Sequence, residues 1–318
     1  MPTDLSNTLV IGISATALFD LRKEDEIFKK KKKDNPKRAV QEYRDHMIET
    51  EKDPLEMGTG FPLVKALLNL NQHKKEEDHL LVEVVVLSKN SPDTGVKILN
   101  NIRKKELSIT RSAFTSGDSV VDYLQGFDVD LFLTTDVEDA QRVTDQKICA
   151  VAILKKPPKE TSVANKDEVR IAFDGDGVLF DEESEIIYKK QGENAFHNHE
   201  DKTKEKPLNK GPYASLLAKL SQLQKKISTD LERSPLRLAL ITARNAPAEL
   251  RPLKTLRLWD IYMDEAFFLG GVEKSKIVQA FKPHIFFDDQ AINLKETSKN
   301  VNCAEVPCQS GSPLNNKK

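Results

Sequence analysis

Seven short apolar runs recur along the chain, at 8–14, 80–87, 130–133, 149–154, 169–173, 236–241 and 284–287. Helix-compatible patterns lie between them, as at 96–105 and 213–226. Continuous apolar runs that alternate with helices predict strands buried on both faces, in parallel sheets covered by helices. The expected fold class is therefore α/β. A length of 318 residues suggests about two domains. The stretch 155–167 (KKPPKETSVANKD) has two prolines and no apolar periodicity, which marks a boundary. The expected organisation is an α/β domain over 1–155, a linker over 156–168, a second domain over 169–308 and a disordered tail over 309–318.

Composition excludes several classes. With 49 basic and 50 acidic residues the net charge is −1, which argues against a chain that holds DNA or RNA. Hydrophobic residues make up 38% and charged residues 31%, enough to bury a core. Three cysteines exclude a disulfide framework and fit a reducing compartment. No apolar run approaches the ~20 residues that span a bilayer. The start, MPTDLSNTLVIGIS, lacks a basic flank and reads as a strand, not a secretory signal. A cytoplasmic protein without membrane contact is expected. The segment 22–52 is strongly charged, with five lysines at 29–33, and suits a solvated helix face or an electrostatic docking patch.

The two halves look like copies of one unit. A shift of 154 positions sets Ser88 on Thr242, Phe114 on Phe268, Gly117 on Gly271, Gln125 on Gln279, Phe132 on Phe286 and Cys149 on Cys303, without a gap.

The strongest chemical signal is 170–181, RIAFDGDGVLFD. A buried strand ends at Phe173, and Asp174 and Asp176 follow. Ligands bind at the carboxyl ends of parallel strands, and two acids there can hold a hard cation against a phosphate. Alone, the same residues also suit an Asp-Gly turn. Three later segments change the balance: LALITAR, a strand ending at Thr242; GGVEKSK, with Lys274 and Lys276; and HIFFDDQ, a strand ending in Asp288 and Asp289.

In this order the four segments resemble the haloacid dehalogenase-like phosphohydrolase superfamily, whose signature is a strand ending Asp-x-Asp-Gly-Thr/Val. Longer strings narrow the resemblance to the cytosolic type-I 5′-nucleotidases. They include DGDGVLFDEESE, LITARNAPAELRPLKTLRLWDIYMDEAFFLGG and KPHIFFDDQ in the second half, and SATALFDL, GTGFPLVKALLNLN and VVVLSKNSPDTGVKILNNI in the first. The resemblance implies a Rossmann-type parallel sheet in the second half and a Mg²⁺-dependent hydrolysis of nucleoside 5′-monophosphates. Asp174 would be the nucleophile that forms an aspartyl-phosphate, and Asp176 the general acid and base. Thr242 and Lys274 would hold the phosphoryl group. Asp174, the backbone carbonyl of Asp176, Asp288 and Asp289 would bind the metal. The insert 182–212 would be a cap. Candidate nucleotide contacts are Ser88, Lys89, Asn90, Asp93, Thr94 and Gly95 of the SKNSPDTG loop, which also suits an effector, together with Arg244 and His199. That loop also suits a strand-to-helix turn capped by Ser91 or Asp93. His197, His199 and Glu200 invite a metal reading but suit exposed or substrate-facing positions better.

Aligning ALFD (17–20) with VLFD (178–181) sets Ile13 opposite Asp174 and Ala15 opposite Asp176, while the 154 shift sets Val120 opposite Lys274 and Thr134 and Thr135 opposite the acidic pair. The first half is thus a related unit without the charged groups, expected to serve as scaffold, self-association surface or regulatory site. Two other readings stand beside the nucleotidase: a phosphatase or phosphomutase of the same superfamily acting on sugar phosphates, and a non-catalytic nucleotide-sensing protein.

Overall fold

A computed structural model describes residues 4–26, 36–75, 79–159, 167–228 and 230–315. The lysine run 29–33 lies outside the described residues, as do 160–166 of the expected linker. The strands are β1 Leu9–Ile13, β2 Phe19–Asp20, β3 Glu56–Met57, β4 Val82–Ser88, β5 Arg111–Phe114, β6 Leu131–Thr134, β7 Ala150–Leu154, β8 Val169–Phe173, β9 Leu236–Thr242, β10 Glu265–Phe268, β11 Ile285–Asp288 and β12 Cys303–Glu305. Ten of them form one sheet in the order β10-β9-β8-β11-β12-β7-β6-β1-β4-β5, and β2 pairs with β3 separately. Neighbours within each group of five are parallel, whereas β7 and β12 are antiparallel.

Local chemistry explains the elements. β4, VEVVVLS, is buried throughout and rich in valine, as a central strand requires. The helix Pro92–Lys104 starts at Ser91, whose side chain accepts from the Thr94 N–H, has proline in its first turn and ends on Arg103 and Lys104. Asp136 caps the helix Val137–Gln146 in the same way, accepting from the Asp139 N–H. The short strands β5 and β10 were not expected from the sequence; they form the two edges, where half-exposed residues replace the apolar run.

The two groups of strands repeat one design. Replacing β1, β4, β5, β6 and β7 by β8, β9, β10, β11 and β12 reproduces the order of the first half in the second. Left-handed backbone residues recur 154 positions apart: Glu106 and Asp260 (φ 55° and 58°), Ser116 and Gly270 (both 54°), Gly117 and Gly271 (101° and 87°), and Asp128 and Lys282 (51° and 53°). Such conformations are uncommon outside glycine, so four coincident pairs mark one backbone path used twice. The first half is accordingly a related α/β unit.

The alignment at the first strand needs a correction. Ile13 pairs with Val86 and Leu133, and Phe173 with Leu240 and Phe287. Ile13 therefore corresponds to Phe173. Ser14 then takes the place of Asp174: the Ser14 N–H donates to the Leu133 carbonyl at 2.9 Å as the Asp174 N–H donates to Phe287 at 2.8 Å. Farther on, the Gly58 N–H donates to Leu18 and the Gly211 N–H to Leu179, so the ALFD and VLFD strings do correspond. The second half has one more residue between these points, and Ala15-Thr16 stands where Gly175-Asp176-Gly177 does.

The halves meet edge to edge and share their core. The helix Phe61–Asn69 of the first half packs against β8, and the helix Ala214–Ile227 of the second packs against β1. The buried Tyr213 hydroxyl donates to the Val151 carbonyl at 3.0 Å, and Lys219 pairs with Asp130 at 2.7 Å. One apolar cluster contains Ile11 and Leu133 with Phe173 and Leu240. The tail is also tied down, contrary to expectation, over residues 309–315. Ser310 donates from its N–H and hydroxyl to Asp145 at 2.8 and 2.7 Å, and the Ser312 hydroxyl donates to Glu182. Small polar residues that suggest disorder here supply hydrogen bonds along the seam.

Candidate active site

Because β7 and β12 are antiparallel, the carboxyl ends of the two strand groups lie on opposite edges of the sheet. The second-half edge gathers the charged residues. Asp174 follows β8, Thr242 ends β9, Asp288 ends β11, and Lys274 opens the helix Lys274–Phe281. The Lys274 ammonium lies 2.6 Å from Asp174 Oδ2 and 2.8 Å from Asp288 Oδ2, and all three residues are buried. Lys276, the rival lysine, is exposed. Asp288 also accepts from the Gln290 N–H at 2.8 Å and from Asn293 Nδ2 at 3.2 and 3.1 Å. Buried Thr242 accepts from the Arg244 N–H at 3.3 Å. One oxygen from each of Asp174, Asp288 and Asp289 falls within 4.8 Å of the others. Gly177 has φ +78°, and a side chain there would meet the Asp289 carboxyl at 2.8 Å. Glycine is therefore required to bring the loop this close.

The electrostatics describe a site short of positive charge. Burial pushes the Asp174 carboxyl above its usual range; Lys274 opposes that shift and Asp288 adds to it. Burial, with Asp174, Glu185 and Asp288 nearby, drives Asp289 up to about 9. Burial weighs most on Lys274 and opposes its charge, but Asp174 and Asp288 together hold it above the ordinary lysine range. A hard divalent cation would relieve this crowding. The donors are all oxygens, and Asp289 Oδ1 is buried without a hydrogen-bond partner, so the residues present fit such an ion.

The Asp176 carboxylate does not join the acidic cluster. Arg244 grips it in bidentate fashion, Nε to Oδ2 at 2.7 Å and Nη2 to Oδ1 at 2.6 Å. Arg244 Nη1 reaches Glu200 at 2.6 Å, and Glu200 also accepts from Arg251 at 3.0 Å and from the Ser184 hydroxyl at 2.8 Å. Glu200 is fully buried on the helix Glu193–Lys202, which with the helix Glu183–Gln191 forms the insert. Phe196 lies against the Arg244 guanidinium, His197 bonds Asn245 at 2.8 Å, and His199 contacts Arg251 at 3.3 Å. Arg244 and His199, expected as nucleotide contacts, are thus committed to fastening the cap helix.

The SKNSPDTG loop is displaced from a substrate-contact position. Ser88 ends β4, and Lys89, Asn90, Asp93, Thr94 and Gly95 follow it, on the edge opposite Asp174. They belong to the equivalent strand ends of the first half and cannot touch a substrate at Asp174. Lys89 pairs with Asp136 at 2.6 Å and Asp139 at 3.0 Å; Asp93 pairs with Arg44. Arg251 and Asn293 carry no signal in the sequence, and Glu200, expected to be exposed or substrate-facing, is fully buried. A charged residue in a polar stretch carries no mark of burial, although Asn293, five positions after Asp288, lies within reach on the following helix turn. Beside Gly177 a cavity of about 1020 Å³ runs along the seam, lined among others by Asp181, Lys210, Cys149 and Ser312.

Comparison with known proteins agrees with this geometry. Residues 1–313 match the 5′-nucleotidase family. Human cytosolic 5′-nucleotidase 1B is 32% identical over 300 residues, covering 92% of this chain. The chain spans about half (48%) of that relative's length. No solved structure matches. No helix among the described residues is long and apolar enough to cross a membrane. With a match that runs through both halves and every strand of the sheet, the chain belongs to the 5′-nucleotidase family.

Proposed function

We propose that this chain hydrolyses nucleoside 5′-monophosphates to nucleoside and phosphate. The observation that carries the reading is the convergence of Asp174, Thr242, Lys274, Asp288 and Asp289 at three adjacent strand ends and one helix start. Asp174 attacks phosphorus, the bond from phosphorus to the 5′-oxygen breaks, and Asp176, once its carboxyl has swung away from Arg244 and taken up a proton, supplies the proton that the oxygen takes. Water then attacks the aspartyl-phosphate, Asp176 accepts its proton, and phosphate leaves with Asp174 restored. Lys274 and Thr242 hold phosphoryl oxygens, in place of solvent, in a site prepared for the charge. Asp174, Asp288, Asp289 and the Asp176 carbonyl would hold Mg²⁺, which when bound neutralises phosphoryl charge. Residues 169–308 act as the catalytic unit, with 182–212 as its cap. We place the activity in the cytoplasm.

The test is phosphate release from AMP, IMP, CMP, their deoxy forms and a set of sugar phosphates, with and without Mg²⁺. Release from nucleotides that is lost in EDTA is expected. Preference for sugar phosphates, or full activity in excess chelator, would overturn the reading.

A further inference from the structure

Two carboxylate oxygens near the cluster are buried without any hydrogen-bond partner, Asp289 Oδ1 and Glu185 Oε2. Glu185 comes from the first cap helix, Glu183–Gln191, and is only 8% exposed. Its other oxygen is fixed: Gln290 Nε2 donates to Oε1 at 3.0 Å, and Lys189 pairs with the same atom at 2.5 Å. Gln290 directly follows Asp289, so this bond anchors Glu185 beside the acidic cluster, and Asp289 feels its charge. A buried carboxylate oxygen left unpaired is costly. Four carboxylates (Asp174, Asp288, Asp289 and Glu185) here face two ammonium groups, Lys274 and Lys189, the latter partly in solvent. Glu185 stands outside the 4.8 Å group formed by the three aspartates. It is therefore poorly placed as a direct ligand and well placed to receive a hydrogen bond from something bound to them.

We propose that Glu185 joins the cap to the metal centre, its free Oε2 accepting a hydrogen bond from a water in the hydration sphere of a Mg²⁺ ion bound by Asp174, Asp288 and Asp289. The proposal rests on the reading of those three aspartates as the metal site. Mg²⁺ gives up its waters reluctantly and usually keeps several. Partners that orient a metal's ligands and waters commonly contribute 10- to 100-fold in affinity. Because Glu185 belongs to the cap, the ion would hold the first cap helix down before any substrate arrives.

Metal binding without substrate tests this. Calorimetric titration with Mg²⁺, and with Mn²⁺ followed by electron paramagnetic resonance, should give a Kd about tenfold or more weaker in Glu185→Gln than in the wild type. The glutamine keeps the size of the side chain. Hydrogen exchange gives a second readout that needs no variant: Mg²⁺ should slow exchange across 183–191 in the wild-type chain. Wild-type binding that Glu185→Gln retains within about twofold, short of the range for such partners, or wild-type binding with no change in exchange at 183–191, overturns the role of Glu185 and leaves the three aspartates as the site. A wild-type chain that binds neither ion overturns the metal reading itself, and this inference with it.

Discussion

Asp174 stands where a strand end, an ammonium group and two further acids meet. Replacing it with asparagine keeps the size and removes the nucleophile, so Asp174→Asn should fold normally and lose turnover by more than ~10³-fold. Steady-state phosphate release alongside circular dichroism checks both halves of the statement, and near wild-type turnover would contradict the proposed chemistry. A second residue predicts a pH dependence. His284 is buried, and its Nδ1 accepts from the Arg170 N–H at 3.1 Å. Burial lowers its pKa from 6.5 to about 4. Between those values the unfolded imidazole binds a proton that the folded one refuses. The contribution of the neutral ring is therefore complete above pH 6.5 and is lost as pH falls toward 4, by up to ~3 kcal/mol. The first half makes the same bond with a carboxylate, Asp130 Oδ2 accepting from the Val10 N–H at 2.8 Å. His284→Asn can still accept the bond but cannot titrate. Its thermal unfolding should lose this part of the acid sensitivity, and parallel curves for variant and wild type would refute the assignment.

The cap helix Glu193–Lys202 shows what elements reveal and conceal. Its sequence, ENAFHNHEDK, reads as a solvated helix, yet Glu200 is fully buried between two arginines. Removing one partner of a buried charge network leaves the others uncompensated, typically at about 3–5 kcal/mol. Glu200→Gln should therefore lower stability in urea unfolding and speed hydrogen exchange across 193–202. Stability and exchange equal to the wild type would show that this network does not fasten the helix. The strands that carry the site were legible because each is a continuous apolar run ending in a chemical group, as IAF before Asp174 and IFF before Asp288 show. The edge strands β5 and β10 were not, since residues such as Arg111 and Glu265 break the run where one side meets solvent. The clamp on Asp176 was hidden for another reason: Arg244 and Arg251 lie 44 or more positions from Glu200 and farther still from Asp176, and they show the partnership only when folded.

At the scale of the molecule, the repeat was visible as a 154-residue spacing, but its first strand was read one residue out of register. The ungapped comparison of ALFD with VLFD could not show that the loop carrying Asp176 is one residue longer. With Ser14, Val120, Thr134 and Thr135 in the positions of Asp174, Lys274, Asp288 and Asp289, the first half keeps the fold without the charges. Thr134→Ala and Thr135→Ala should leave turnover within about twofold, as for substitutions remote from the chemistry. Asp288→Ala should lower it by more than ~100-fold, since charge stabilisation and Lys274 positioning both go. Equal losses in the two sets would mean that the first half takes part in the reaction.

The antiparallel seam between β7 and β12 has a consequence for descent. A single ancestral half, ending in an unpaired strand, would offer that edge to a second copy and form a two-fold dimer with one cleft on each side. Joining the copies into one polypeptide makes the pairing permanent and places the clefts back to back, where neither can share a substrate with the other. Selection on one cleft then leaves the other free to drift. In the present chain the second cleft has the hydroxyl groups of Ser14, Thr134 and Thr135, small and neutral, at the strand ends where the other has acids.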